Sequence, residues 1–495
     1  HGVLFRGNAE ATIRRELLKR GYIKGIIGLP ANLFYGTGIP ACIVVLDKED
    51  AQARTGVFMI DASKGFVKEG PKNRLRARDI HKIVDVFTKQ LTLERYSRMV
   101  PLAEIANPKN EYNLNIPRYI DSSEPEDLQD LNAHLRGGIP NHDLDALSRF
   151  WGAFPALRGD LFTPNRPGYS DLAVNVNQVQ QLILESSEFK AFATNVDRMI
   201  GEWFQAHRAK LAAIDANTKP AELITELSED LLARFRPVPL LDEYDAYEQL
   251  MSYWQETMHD DVFLIMNEGW EAAAMPRKTL EDRDRKLSET PDLVVGTGRS
   301  AAKYKMDLIP PALIIDRYLA DEKAKADDLA RAVEEATREL EGFLEEHAVE
   351  DGLLAPAMDD DKINRTLVVA RLKAAKAAHA EREEVDALIT AMNLYDVEAM
   401  AKKAAKDSQS VLDTTALKAY HHLQASDVQD LVLVHKWQRA VATRVATEVV
   451  GLTLSLVDRI QTLGARYAET IGALDGELAQ LEARVSAHLE AMGVR

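Results

Sequence analysis

The residues of this chain best suited to chemistry lie in the stretch Leu29–Lys48, LPANLFYGTGIPACIVVLDK. Phe34 and Tyr35 present two aromatic faces in succession, and Gly36, Thr37 and Gly38 follow in a loop whose glycines let a backbone approach a ligand closely. An enzyme that acts on a nucleobase takes it out of the stack and holds it against aromatic or apolar groups, which is the chemistry this loop suits. The same residues also read as a tight turn with a packed aromatic, and composition alone leaves both readings open.

Other constellations offer less. Asp292–Gly298 (DLVVGTG) begins like a nucleotide-binding strand and glycine turn, but no helix start follows and the second half of the fingerprint is missing, so it reads as a plain loop. Met358–Asp361 lacks the glycine and glutamate of a calcium loop. His421 and His422 are adjacent and would point in different directions on a helix, with no cysteine or carboxylate nearby to complete a zinc site. No metal is predicted. No Ser-His-Asp order or nucleophile elbow is present, and no catalytic residue is assigned.

The elements flanking the loop belong to an α/β sheet. Asn8 is placed to cap a helix over 9–20, with Ile13, Leu17 and Leu18 on one face and Gly21 as its stop. A strand is expected at 22–28, the loop follows, and 41–46 (ACIVVL) reads as a strand buried on both faces because its apolar run is unbroken. Gly56–Asp61 predicts a further strand, 77–96 has helical apolar spacing, and 111–120 (EYNLNIPRYI) reads as an extended closing segment. This is the tail of an α/β sheet, too short for a complete doubly wound domain. A domain boundary is expected after Asp121, in the polar linker Ser122–Asp127.

The expected domains are therefore 1–121, then a mostly helical middle at 122–310, then a charged helical region at 311–495. Met251–Trp270 reads as core. Ala326–His347 carries an apolar seam at spacings of three and four. The last helix places Ile460, Leu463, Tyr467, Ile471, Leu474, Leu478, Leu481, Val485, Leu489 and Met492 near a 3.5-residue repeat, which predicts a coiled-coil-like arm. Packing within the chain and docking onto a partner both remain open for it.

Totals narrow the classes. A net charge of −17 argues against general coating of nucleic acid, but residues 1–48 carry seven Lys/Arg against three Asp/Glu, so the N-terminal piece is basic. Arg6, Arg14 and Arg15 form a candidate DNA-facing patch, with a solvated helix face as the alternative. The single cysteine, Cys42, excludes an internal disulfide and suits the cytoplasm. No apolar run approaches the roughly 20 residues needed to span a bilayer. The chain begins at His1 inside a structured-looking segment, which predicts a piece of a longer protein.

Gly2-Val3-Leu4-Phe5-Arg6-Gly7, Glu10, Ile13-Arg14, Leu17-Leu18, Ile26-Ile27-Gly28-Leu29-Pro30, Leu33-Phe34-Tyr35-Gly36-Thr37-Gly38-Ile39-Pro40 and Tyr112–Tyr119 fall in one order. That order resembles the modification subunit of type I restriction-modification systems over residues 1–121. Leu308-Ile309-Pro310 and Leu431–Trp437 resemble the long C-terminal extension of larger members. The resemblance implies the C-terminal part of a Rossmann-like methyltransferase sheet followed by helices. It implies transfer of a methyl group from S-adenosylmethionine to N6 of adenine in DNA, with Phe34 stacking on the target base and Tyr35, Gly36, Thr37 and Gly38 supporting it. It also implies a specificity subunit docked through the C-terminal arm, a nuclease subunit alongside, and no membrane. The family's cofactor glycine motif and Asn-Pro-Pro-aromatic tetrapeptide have no counterpart here; the one Asn-Pro, Asn107-Pro108, is followed by Lys109. The cofactor site is therefore expected outside this chain, which is not expected to methylate alone. The rival is a non-catalytic helical scaffold of a restriction or phage-defence complex.

Overall fold

In a computed structural model of the chain, residues 2–123, 127–280, 289–296, 298, 301–359 and 362–493 are described. Glu124–Glu126 of the expected linker, Thr297, Arg299 and Ser300 around the second glycine turn, and Asp360 and Asp361 of the acidic cluster lie outside them. The chain groups into two compact units: His1–His207 with Lys219–His259 and Ala440–Arg495, and Arg208–Thr218 with Asp260–Arg439.

The first unit opens with helix α1 (Asn8–Lys19), strands β1 (Ile23–Gly28), β2 (Cys42–Leu46) and β3 (Gly56–Asp61), a hairpin of β4 (Val67–Glu69) and β5 (Lys72–Arg74), helix α2 (Ala77–Lys89) and strand β6 (Ser97–Pro101). The sheet order is β2-β1-β3-β6; β1 and β3 are parallel, and β2 and β6 run antiparallel to their neighbours. Strand alternation divides the core into two layers. Val57 and Met59 of β3 pack with Leu18 of α1 and with Leu114, Ile116, Tyr119 and Ile120 of the closing segment. Phe58 and Ile60 face the other way, onto Ile83 and Val86 of α2. Gly21 ends α1 at φ +68, where an added Cβ would come within 2.0 Å of the Ala51 carbonyl oxygen, so only glycine fits. Asn8 is the first residue of α1, and the helix has no side-chain cap, contrary to the expected role of Asn8.

The 41–46 run is corrected. It forms β2 at the sheet's edge, paired among the described residues with β1 alone, and Ile43 and Leu46 are exposed; within this sheet it is β3 that is buried along its whole length. Cys42 is half-buried against the α1 layer.

Further along, the middle is more varied than expected. A three-stranded antiparallel sheet joins Ile139–Pro140, Phe162–Arg166 and Tyr169–Leu172, followed by the helices Ser187–Ala212 and Pro220–Phe235. The helix Glu243–Tyr253 lies against α2 in this unit. Arg78 pairs with Asp245, Lys82 Nζ is 2.8 Å from Asp242, and the His81 and Tyr247 rings stack at 4.5 Å. The expected single C-terminal helix is broken at Tyr467–Thr470 into Arg439–Arg466 and Ile471–Ala491. Ile460, Leu463 and Tyr467 are buried, whereas every residue from Gly472 to Gly493 is exposed.

In the second unit the seam of Ala320–His347 is buried along the helix Arg382–Tyr420. Ala326 packs with Leu412 and Ala416, and Phe343 with Ala387 and Leu388, so the two helices run antiparallel. A second three-stranded sheet (Arg277–Lys278, Leu293–Val295, Ala302–Lys305) takes in the DLVV run as a strand. The two segments quoted for the C-terminal extension meet here: Lys436 Nζ donates to the Leu308 carbonyl at 2.6 Å. The expectation that no segment is long and apolar enough to cross a membrane is revised. The helical run Ala425–Arg466 passes on length and composition, with a mean hydropathy of 1.5 over its most apolar window. Val441, Val445, Val449, Leu456, Val457 and Ile460 are buried along it, the burial pattern of a core helix.

Candidate functional site

The loop between β1 and β2 leaves the carboxyl end of β1 beside the carboxyl end of its parallel neighbour β3, the end of an open α/β sheet where ligands sit. Its shape is fixed from both sides. Asn32 takes φ 58 and Gly36 φ +80, and the Thr37 Oγ1 accepts a hydrogen bond from the Ile39 N–H at 3.1 Å. Strand β5 ties the loop down: the Asn73 N–H donates to the Asn32 carbonyl at 3.0 Å and the Asn73 Nδ2 to the Ala31 carbonyl at 2.8 Å. Lys72 Nζ donates to the Phe34 carbonyl at 2.7 Å and lies 5.9 Å from the Tyr35 ring centre.

On that anchored backbone the two aromatic rings face solvent. Phe34 is 55% exposed and Tyr35 94%. A packed aromatic under a tight turn would be buried, so the structural reading of the loop loses its main support. The two neighbouring rings leave aromatic surface open to solvent on a held backbone. Gly36 has open space around its Cβ position, whereas a Cβ on Gly38 would approach Asn32 Oδ1 at 3.1 Å.

Behind the loop sits a carboxylate that sequence reasoning passed over. Asp61 ends β3 opposite Gly28 of β1 and is buried; its Oδ1 accepts from the Ser63 N–H at 3.0 Å and its Oδ2 from the Ser122 hydroxyl at 2.5 Å. Its place at a parallel strand's carboxyl end was the available signal. Both oxygens are engaged within the chain, and it ties the closing segment to the sheet.

Of the three arginines expected to face DNA, Arg14 is withdrawn. Its side chain is buried, with Nε donating to the Tyr112 carbonyl at 2.8 Å and Nη1 to those of Val3 and Arg6 at 2.9 and 3.0 Å. It binds the N-terminal turn to the closing segment. Arg15 is exposed, with its guanidinium 5.1 Å from the Tyr112 ring centre, and Arg6 is exposed. Arg14→Ala leaves three carbonyls without their donor and should cost about 2–3 kcal/mol, whereas Arg15→Ala should stay within about 0.5 kcal/mol. Denaturant melts of the two variants check this; equal effects would contradict the structural role of Arg14.

Cavities of about 340 and 840 Å³ lie at the opposite end of the sheet, around Lys24, Asp47, Gly21 and Arg54. Their position, away from the carboxyl ends of β1 and β3, separates them from the loop. Among the described residues no cluster of three or more His, Cys, Asp or Glu is placed to hold a metal.

This sheet end lies in a segment that matches a known family. Residues 1–128 match the N-6 DNA Methylase family. More particularly, the relatives are methylase subunits of type I restriction enzymes. The MjaVII methylase subunit of Methanocaldococcus jannaschii is 39% identical over 138 residues, covering 27% of this chain and 24% of that protein. The MpnII methylase subunit of Mycoplasma pneumoniae is 32% identical over 146 residues, covering 30% and 25%. A crystal structure of the type I restriction-modification methyltransferase subunit from Streptococcus thermophilus is 44% identical over 25% of each chain, with a TM-score of 0.23. The resemblance read from the motifs is shown for this segment, and the chain spans about a quarter of the length of the curated relatives it matches.

Proposed function

We propose that residues 1–121 are the C-terminal part of the catalytic domain of a type I restriction-modification methylase subunit. That subunit transfers a methyl group from S-adenosylmethionine to N6 of adenine in DNA. The observation that carries the reading is the anchored β1–β2 loop, which offers the Phe34 ring to solvent at the carboxyl end of a parallel strand pair, inside the segment that matches the family. Phe34 is the face on which the extruded adenine stacks. Tyr35, Gly36, Thr37 and Gly38 hold that face in place, with Lys72 and Asn73 behind them.

Two further features support a larger assembly. The outer edge of β2 is unpaired among the described residues and carries exposed Ile43 and Leu46, the surface a sheet presents where another element completes it. The helix Ile471–Ala491 leaves Leu474, Leu478, Leu481 and Val485 exposed in a row, and we assign it to docking the specificity subunit, with a nuclease subunit alongside in the cytoplasm.

No residue of this chain is assigned to the cofactor. Asp61, the carboxylate at these strand ends, is buried and accepts from the Ser63 N–H and the Ser122 hydroxyl, bonds that tie the chain to itself. The methyl-transfer step is accordingly not routed through this chain's groups. The test is methyl transfer by the full-length subunit with its specificity partner, read as N6-methyladenine in duplex DNA. Transfer to cytosine, or none with the complex assembled, would overturn the reading.

A further inference from the structure

The β4–β5 hairpin and its flanks, residues 64–78, hold six Lys/Arg against one Glu in a chain whose net charge is −17. The structure sorts those cations by what they do. Arg76 is 2.8 Å from Asp79, and Arg78 pairs with Asp245, so both are neutralised inside the fold. Arg74 is shared with Glu69 at 3.4 Å. Lys64 and Lys68 are exposed and make no ion pair or hydrogen bond among the described residues, and Lys72 gives its ammonium to a neutral carbonyl rather than to a carboxylate.

This uncompensated charge lies beside the base loop, since Asn73 and Lys72 are the residues that hold the loop to the hairpin. Arg76 and Arg78 have carboxylate partners; these three lysines do not, and Lys68 and Lys72 sit on the hairpin that ties down the Phe34 loop, with Lys64 just ahead of it. Phosphate contacts fix a protein's register on a duplex without reading sequence, and an extruded base carries its own phosphates along with it.

We propose that the β4–β5 hairpin is a phosphate-contacting arm of the adenine site, with Lys64, Lys68 and Lys72 neutralising backbone phosphates that flank the base held at Phe34. The proposal rests on the reading of this segment as part of a DNA methylase. It replaces Arg14 as the source of positive potential near the DNA.

The test is the salt dependence of duplex binding by the full-length subunit in its native complex, comparing the unaltered protein with Lys64→Ala/Lys68→Ala. Both side chains are exposed, so the fold is unaffected. Each lost phosphate contact lowers the slope of log affinity against log salt by about 0.9, so the double variant should lose about 2 from the slope. Affinity should fall by the same factor on target and non-target duplexes. An unchanged slope overturns the proposal, as does a loss confined to the target sequence. Failure of the double variant to assemble the complex would overturn the proposal and assign the hairpin to a protein partner instead. If the unaltered complex binds no DNA, the methylase reading and the hairpin fall together. If Phe34→Ala leaves methylation intact while the lysine variant loses slope, only the stacking assignment falls.

Discussion

Replacing Phe34 with alanine in the full-length subunit should lower kcat/KM for adenine methylation about 5- to 150-fold, because base–aromatic stacking contributes about 1–3 kcal/mol per base and each 1.4 kcal/mol is a factor of ten. Thermal stability should not move, since the ring is half in solvent and supports no core. That combination separates a binding surface from a packing residue, for which stability and activity would fall together. Phe34→Trp keeps a stacking face and should retain most of the activity. Tyr35→Ala removes a ring whose recorded neighbour is the Lys72 ammonium, and should cost only a few-fold. With 2-aminopurine in place of the target adenine, extrusion brightens the probe and stacking on Phe34 quenches it, so the alanine variant should give the brighter complex. Full activity in Phe34→Ala would remove the ring from the site.

The first 121 residues were largely legible because their local signals agree with their environment. β1, β3, α1 and α2 lie where periodicity and glycine punctuation put them. β2 was misplaced for a physical reason: an unbroken apolar run marks a strand that is covered on both faces, but it does not say whether the cover lies in the same segment of chain. Here Ile43 and Leu46 stay exposed at an edge. Arg14 was misread because a basic residue on a helix looks solvated until the carbonyls it reaches are known. Two of those belong to residues within eleven positions of it, but the third, on Tyr112, is 98 residues away. The small sheet at Ile139–Leu172 escaped because Pro140 and Pro164 demote its strands in any sequence pattern, although prolines are tolerated where ladder bonds are few. The C-terminal repeat ran smoothly through Ile460–Met492, yet the chain turns at Tyr467–Thr470; hydrophobic period carries no record of a break that preserves it. Phe34 was singled out by residue type and by the resemblance, and its exposure could come only from coordinates.

The largest effect on stability should come from the second unit, at a pair with no part in the proposed chemistry. Asp261 is buried and the Lys436 side chain is 11% exposed, with Lys436 Nζ 2.7 Å from Asp261 Oδ2; Trp437 Nε1 donates to the same carboxylate at 2.8 Å. Burial pushes the Asp261 carboxyl up and the Lys436 ammonium down, so desolvation outweighs their mutual attraction for both partners. Such a pair adds little net stability, but breaking it strands a charge. Lys436→Met should therefore cost about 3–5 kcal/mol, while Lys436→Met/Asp261→Asn should recover most of that, because the asparagine oxygen still accepts from Trp437 and no charge is left behind. The pH dependence has a definite sign. A buried carboxyl with a raised folded-state pKa favours the folded state in its protonated form, so its stabilising contribution is present at low pH and lost as pH rises through the folded pKa. With the lysine gone, the deficit of Lys436→Met against the unaltered chain should narrow as pH falls toward the ordinary aspartate value near 4, and the double variant should show no such narrowing. Denaturation midpoints across pH 4–8 read both effects. A double variant as unstable as the single one would mean that lost packing around Lys436, rather than a stranded carboxylate, sets the cost.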